Sequence, residues 1–157
     1  MKRIILLIAG LAAAGILACG VNARRAAAQQ GLSYMPRLGD IMGTVQLRHF
    51  KLWFAGDREN WPLAQYELQQ IRDSFSDAAV LYQNVPIGNI EITMVEKPLA
   101  DVDDAIKAKN RAKFTHGFSD LTATCNHCHE AAKVGFIVVR IPTASPFSNQ
   151  SFSPTGK

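Results

Sequence analysis

Toward the end of this 157-residue chain stands the run Cys125-Asn126-His127-Cys128-His129. Two thiols three residues apart, followed at once by an imidazole, form the pattern C-x-x-C-H. The spacing has a geometric meaning. On one helical turn each cysteine can form a thioether with one vinyl group of a haem, and the next histidine then projects a ring nitrogen toward the iron. Such attachment holds a cofactor without a large core around it. The expected cofactor is therefore one covalently bound haem c, with Cys125 and Cys128 as anchors and His129 as iron ligand. The same residues also suit other chemistry. A redox-active Cys125–Cys128 pair would need a strand–helix context, and no βαβ pattern is visible. Cys125, Cys128 and His129 could ligate zinc with a fourth ligand from elsewhere. A structural disulfide would leave His129 without a task.

With haem, function turns on the opposite face of the iron. A strong protein ligand there makes an electron carrier, and an open face admits a small gas or peroxide. His49 is the first candidate, because it interrupts an apolar stripe between Val45 and Leu52. Met42, two turns earlier on that stripe, is the alternative, and Met94 is a weaker one. His116 lies 13 residues before His129, about 20 Å along a continuous helix, too far to reach the same iron. His127 faces a different direction from His129. Arg140 is a candidate partner for a haem propionate, and the apolar run Phe136 to Ile141 is expected to fold back over the cofactor.

These residues need helices to hold them. Leu38, Ile41, Met42, Val45, His49, Leu52 and Trp53 recur at spacings of three and four, which predicts a helix over 38–55, with Asp40 as cap and Gly56 at its end. A second helix is expected over 61–82, capped by Asn60, with Pro62 in its first turn and a stripe of Ala64, Leu68, Ile71, Phe75, Ala78 and Tyr82. Residues 84–98, bounded by Pro86 and Pro98, alternate in the manner of an extended segment or crossover. A third helical pattern runs from Asp101 to Ala132, with three aspartates in its first turn and Gly117 as a weak point. Trp53, Phe54, Trp61 and Tyr66 are expected to pack together at the first helix–helix turn. Lys107, Lys109, Arg111 and Lys113 form a basic stretch that suits a solvated helix face or an acidic redox partner. No internal repeat is visible.

A late C-x-x-C-H on the last helix of a small helical chain, led by Phe114, Phe118 and Leu121, resembles the class II c-type cytochromes, the cytochrome c′-like proteins. The resemblance covers residues 100–132 well and the helices at 38–82 in outline. It implies an all-α bundle of three to four helices, with haem on the last long helix. Low-spin members of that class draw a methionine from their first helix, which is how Met42 enters. Class I cytochromes carry the motif near the N-terminus and a methionine downstream, and no methionine follows His129. Two departures stand out. The chain continues for 28 residues past His129, ending in an irregular tail at 142–157, and segment 84–98 takes the place of a third helix.

Charge and leader complete the reading. The chain has 17 basic and 13 acidic residues, net +4, a balance that invites a nucleic-acid partner. Residues 1–18 combine a basic start with an uncharged apolar run of about 15 residues, short of the roughly 20 that span a bilayer, and so fit a signal peptide. Cleavage before Gln29 would remove Lys2, Arg3, Arg24 and Arg25 and leave 13 basic against 13 acidic residues. Cleavage before Cys19, in a lipoprotein-like box, would make Cys19 a lipid anchor. Either route exports the chain to the periplasm, where thiolates survive poorly for zinc, and neither leaves a basic surplus that favours nucleic acid. The expected division is a leader at 1–28 (or 1–18), a haem domain at 29–141 and the tail. The expected role is one-electron transfer between periplasmic redox partner proteins, a carrier rather than an enzyme. Gas binding by a five-coordinate haem is the first alternative, and homodimerisation stays open.

Overall fold

Four α-helices follow one another along the chain: α1 (Leu38–Asp57), α2 (Trp61–Leu81), α3 (Ile87–Lys107) and α4 (Arg111–Ala131). The computed structural model describes residues 35–82 and 87–155, and of residues 87–92 only the backbone. The leader and both of its expected cleavage sites lie outside the described residues. Intrachain contacts set Arg37–Lys157 apart as one compact unit, and no strand occurs among the described residues. The helices run up and down in sequence. α1 packs most closely on α2 and α3 on α4; α2 meets α3, and the α1–α4 seam is the most sparing of the four. This is the all-α bundle expected of the sequence.

The core follows from the three-and-four spacing. Val45, Leu52 and Ala55 of α1 meet Ala64, Leu68, Ile71 and Phe75 of α2, Val95, Leu99, Val102 and Ile106 of α3, and Phe114, Phe118 and Leu121 of α4. Each of these side chains larger than alanine, once buried, is worth about 1.5–3 kcal/mol. One ion pair lies inside this shell. Arg48 of α1 donates to the Glu67 carboxylate at 3.1 Å, and Glu67 is 1% exposed. Glu67 falls on the buried face of α2, one step before Leu68, and no pattern in the sequence marked it.

Both hairpin turns have one construction. Arg58-Glu59-Asn60 joins α1 to α2, and Ala108-Lys109-Asn110 joins α3 to α4. In each, the middle residue takes a left-handed φ, 57° at Glu59 and 50° at Lys109. Asn60 N–H returns to Ala55 O and Asn110 N–H to Ala105 O, while Glu59 N–H reaches Gly56 O and Lys109 N–H reaches Ile106 O. These are Schellman closures. The asparagine side chain then caps the next helix, accepting from Leu63 N–H at 3.3 Å and from Lys113 N–H at 2.9 Å.

Several expectations need correction. Residues 87–98 are not an extended crossover: α3 begins at Ile87 and runs through Pro98. The alternation of Ile90, Ile92 and Met94 suggested period two, but Val95, Leu99, Val102 and Ile106 are buried at helical spacing. The long third pattern is two helices, and the break falls at residues 108–110 rather than at Gly117, which is buried in α4 with the Val102 side chain against it. Asp101, Asp103 and Asp104 therefore occupy the last turns of α3, where the dipole is unfavourable to them. Cations offset that: Lys97 pairs with Asp101, and Lys107 and Arg72 both pair with Asp103. Asp40 is not the cap of α1. The N-cap is Arg37, whose guanidinium binds Asp40 in the first turn and holds that carboxyl below its usual range. Gly56 does not end α1; Phe114 needs it, since a Cβ there would lie 2.1 Å from the ring.

The tail has no helix or strand through residue 155, yet it packs. The Phe152 ring lies 5.5 Å from that of Phe54 and 5.9 Å from that of Phe147, and Asn60 Nδ2 donates to Ser153 O at 3.1 Å.

Candidate functional site

α4 delivers the motif. Its last two turns hold Cys125, Cys128 and His129, and all three line one cavity of about 350 Å³. The facing wall comes from the first half of α1, through Leu38, Gly39, Met42, Gly43, Val45, Gln46 and His49. Phe75 and Val95 also border it, and Val134, Ile137 and Val139 contribute from the segment after α4. The cavity opens where α1 and α4 pack most sparingly. A Cβ built on Gly39 or Gly43 would meet nothing within 4 Å, so these two glycines leave a smooth stretch of helix where a flat group could lie close.

His129 is oriented by a backbone group. Its Nδ1 lies 2.6 Å from Ile137 O. A carbonyl only accepts, so Nδ1 carries hydrogen, and in the neutral ring the lone pair is then on Nε2. This is the arrangement metal-binding histidines ordinarily have, one ring nitrogen donating to a carbonyl and the other free to ligate. The segment after α4 does fold back, through this bond and through Asn126, which bonds both backbone groups of Val139. Two of its apolar side chains nevertheless face outward: Phe136 is 82% exposed and Val138 59%. Cys125 and Cys128 are not joined as a disulfide, and burial pushes the Cys125 thiol up to about 11.

His49 is 3% exposed. Its Nε2 lies 2.9 Å from Thr122 Oγ1, and that hydroxyl donates its single hydrogen to Phe118 O at 2.8 Å. Thr122 must therefore accept from His49 Nε2–H, and His49 Nδ1 is left as a buried acceptor without a partner. Burial lowers the His49 pKa to about 4, so the ring is neutral at pH 7.

The seam between α1 and α4 sets the depth of each candidate. Asp57 meets Arg111, Gly56 meets Phe114, Trp53 stacks near Phe114 and Phe118, and His49 lies beside Phe118 and Thr122. The helices are thus antiparallel. Continued toward the open end, this register brings Met42 level with His129. His49 sits seven residues farther in, about 10 Å along the helix.

The remaining candidates lie elsewhere. His116 is on the outer face of α4, paired with Asp120 at 3.1 Å, and His127 is exposed. Arg140 is exposed and follows Val139 at the cavity rim. Trp53 and Trp61 pack on Phe114 at the turn end of the bundle, away from the motif, and Tyr66 is 53% exposed beneath Arg48. The basic stretch is at that end too: Arg111 holds Asp57, Lys107 holds Asp103, and Lys109 and Lys113 are exposed. Thr122 was not anticipated, since its partner is 73 residues away. Among the described residues no group of three or more His, Cys, Asp or Glu side chains converges as for a metal ion. Nor is any helix among them long and apolar enough to cross a membrane.

No protein-family model, no curated protein and no solved structure matches this chain.

Proposed function

We propose that the chain is an exported monohaem c-type cytochrome of the class II type that carries one electron at a time between periplasmic redox proteins. One observation carries the reading. Cys125, Cys128 and His129 line a single, largely apolar cavity, and His129 is already held in the tautomer that leaves Nε2 for a metal. Cys125 and Cys128 would hold the group covalently and His129 would ligate it. Haem bound there supplies a one-electron iron couple. The chain's own residues exclude water with the walls of α1, α3 and the 134–139 segment, and they orient the imidazole through Ile137 O. The free surface of Gly39 and Gly43 suits a flat macrocycle.

For the opposite face of the iron, the level shared with His129 favours Met42. His49 is the second reading, favoured by its unpartnered Nδ1, although its other nitrogen is occupied by Thr122. Arg140, at the rim, is proposed to pair with a propionate.

Spectroscopy tests this. The purified protein should keep a Soret band and a haem stain after denaturation, and Cys125→Ser with Cys128→Ser should lose both. A chain that never binds haem sinks the proposal. The reduced protein should be low-spin and unresponsive to carbon monoxide. Met42→Ala should turn it high-spin and carbon-monoxide-binding, whereas the same change on His49→Ala alone would move the ligand to His49. A wild type that binds carbon monoxide at once would favour gas binding over electron transfer.

A further inference from the structure

Asn126 stands between the two cysteines, and the proposed haem site gives it no task. We infer that Asn126 is a positioning residue for His129, acting through the backbone of the segment that follows α4. Its side-chain amide makes two opposed hydrogen bonds with one residue. Nδ2 donates to Val139 O at 2.9 Å, and Oδ1 accepts from Val139 N–H at 2.8 Å. Two residues before Val139, Ile137 O accepts from His129 Nδ1 at 2.6 Å. Asn126 and His129 are three apart on α4 and so lie on neighbouring parts of one face.

Val134 and Val139 are half-buried, but the residues around the carbonyl itself gain little from apolar burial. Phe136, Ile137 and Val138 are 82%, 45% and 59% exposed. The segment has no helix or strand of its own; Val134 N–H closes on His129 O at 2.8 Å, and beyond that its one backbone–backbone hydrogen bond up to Val139 is Ile137 N–H to Val134 O at 2.8 Å. Beyond that helix-end closure two polar ties bind it to α4, the Asn126 clamp and the His129 ring. Without the clamp, the His129 bond alone must bear the cost of ordering the segment. The carbonyl acts on the ring in two ways: it fixes hydrogen on Nδ1, and it makes Nε2 a stronger electron donor.

What this says about the iron rests on the haem proposal; what it says about the ring does not. The test uses the full-length protein with Asn126→Ala, Asn126→Asp and, as control, His127→Ala, whose side chain is exposed between the same cysteines. In every form the Val139 amide should exchange at least ten-fold faster in Asn126→Ala. If the protein carries haem, the midpoint potential should shift upward in Asn126→Ala, because the imidazole donates less, with the Soret band retained. Asn126→Asp, which keeps the acceptor for Val139 N–H, should fall between. If the protein carries none, nitrogen NMR above the ordinary histidine titration range should show His129 moving from the Nδ1–H tautomer toward a mixture. Faster Val139 exchange with an unmoved potential or tautomer would overturn the positioning role, and so would an equal shift in His127→Ala. A missing Soret band ends the haem proposal and leaves the tautomer to decide this one.

Discussion

The bundle is two helical hairpins of matching design, α1–α2 and α3–α4, related by a shift of 50 residues that carries Asp57 onto Lys107 and Asn60 onto Asn110. The buried positions follow the same shift: Val45 and Val95, Leu52 and Val102, Ala55 and Ala105, Leu68 and Phe118, Ile71 and Leu121. The contents differ at the far end. Where α2 has Phe75, Ala78 and Ala79, α4 has Cys125, Cys128 and His129; where α3 has Leu99, α1 has His49. One hairpin ends in plain packing and the other in a reactive turn, and the cavity opens on the seam between α1 and α4. The scaffold is thus shared, and the chemistry is added at positions that the other hairpin fills with apolar or small side chains.

The largest expected effect tests where the two hairpins are not interchangeable. Phe114 is fully buried and lies against Gly56, with its Cζ 2.1 Å from where a Cβ would stand. The corresponding positions, Ala64 and Ile106, have the sizes reversed. Gly56→Ala should cost about 3 kcal/mol or more, since the ring is walled in by Trp53, Trp61 and Phe118 and overpacking of a full core is paid in strain. Ala64→Gly, at the matching small position, should cost less, about 1 kcal/mol through helix propensity and roughly 0.8 kcal/mol for the buried methyl it deletes. Equal losses in chemical denaturation would mean that Phe114 yields easily and that the size reversal carries no weight.

The next effect isolates His49 from Leu99. The neutral ring is favoured in the fold, with its pKa lowered by burial to about 4 from 6.5. Between those values the unfolded chain binds the extra proton, so stability is full above the unfolded value and falls as pH drops toward the folded one. From pH 7 to pH 5 the loss should be about 2 kcal/mol, with one pKa unit taken as roughly 1.4 kcal/mol. His49→Leu makes the position like Leu99 and should remove that part of the slope. At pH 7 the variant should be near neutral in stability, because it deletes an unpartnered nitrogen and Thr122 keeps its bond to Phe118 O. A slope in His49→Leu equal to the wild-type slope would assign the pH response to other groups.

The sequence revealed these regions unevenly, for physical reasons. α1 and α2 were legible because their stripes are long and because Asn60 and Pro62 mark the second start. α3 was hidden by the short alternation of Ile90, Ile92 and Met94 and by Pro98, which reads as a breaker although the helix passes through it. The turn at 108–110 was hidden because Asn110 falls on the apolar stripe and Lys109 does what a glycine usually does. The hairpin relation was invisible because only Val45, Ala55 and Asn60 recur identically after the shift. In the site, Cys125, Cys128 and His129 form a local pattern and needed no fold to be found. The Ile137 carbonyl that orients His129 is a backbone atom and leaves no mark in composition, and Asn126 looked like filler between cysteines. Met42 and His49 were both visible on one stripe, but only the register of α1 against α4 gives them different depths.

The smallest expected effect probes the turns, where the hairpins are most alike. Glu59 and Lys109 hold left-handed φ values of 57° and 50° with the same two returning hydrogen bonds. For a residue with a Cβ this conformation costs about 1 kcal/mol, and glycine removes it while adding entropy to the unfolded chain. Glu59→Gly and Lys109→Gly should therefore each raise stability by roughly 0.5 kcal/mol, measured by denaturant midpoint at constant m. Lys133, at φ 62°, ends α4 by the same closure, with Val134 N–H on His129 O at 2.8 Å, and Lys133→Gly should gain a similar amount. A gain at Glu59 and Lys109 with a loss at Lys133 would show that the end of α4 is not a third copy of the turn. It would mean that the segment leading to Ile137 depends on the stiffness of a side-chain-bearing residue there, and that the orientation of His129 begins at the helix end rather than at the Asn126 clamp.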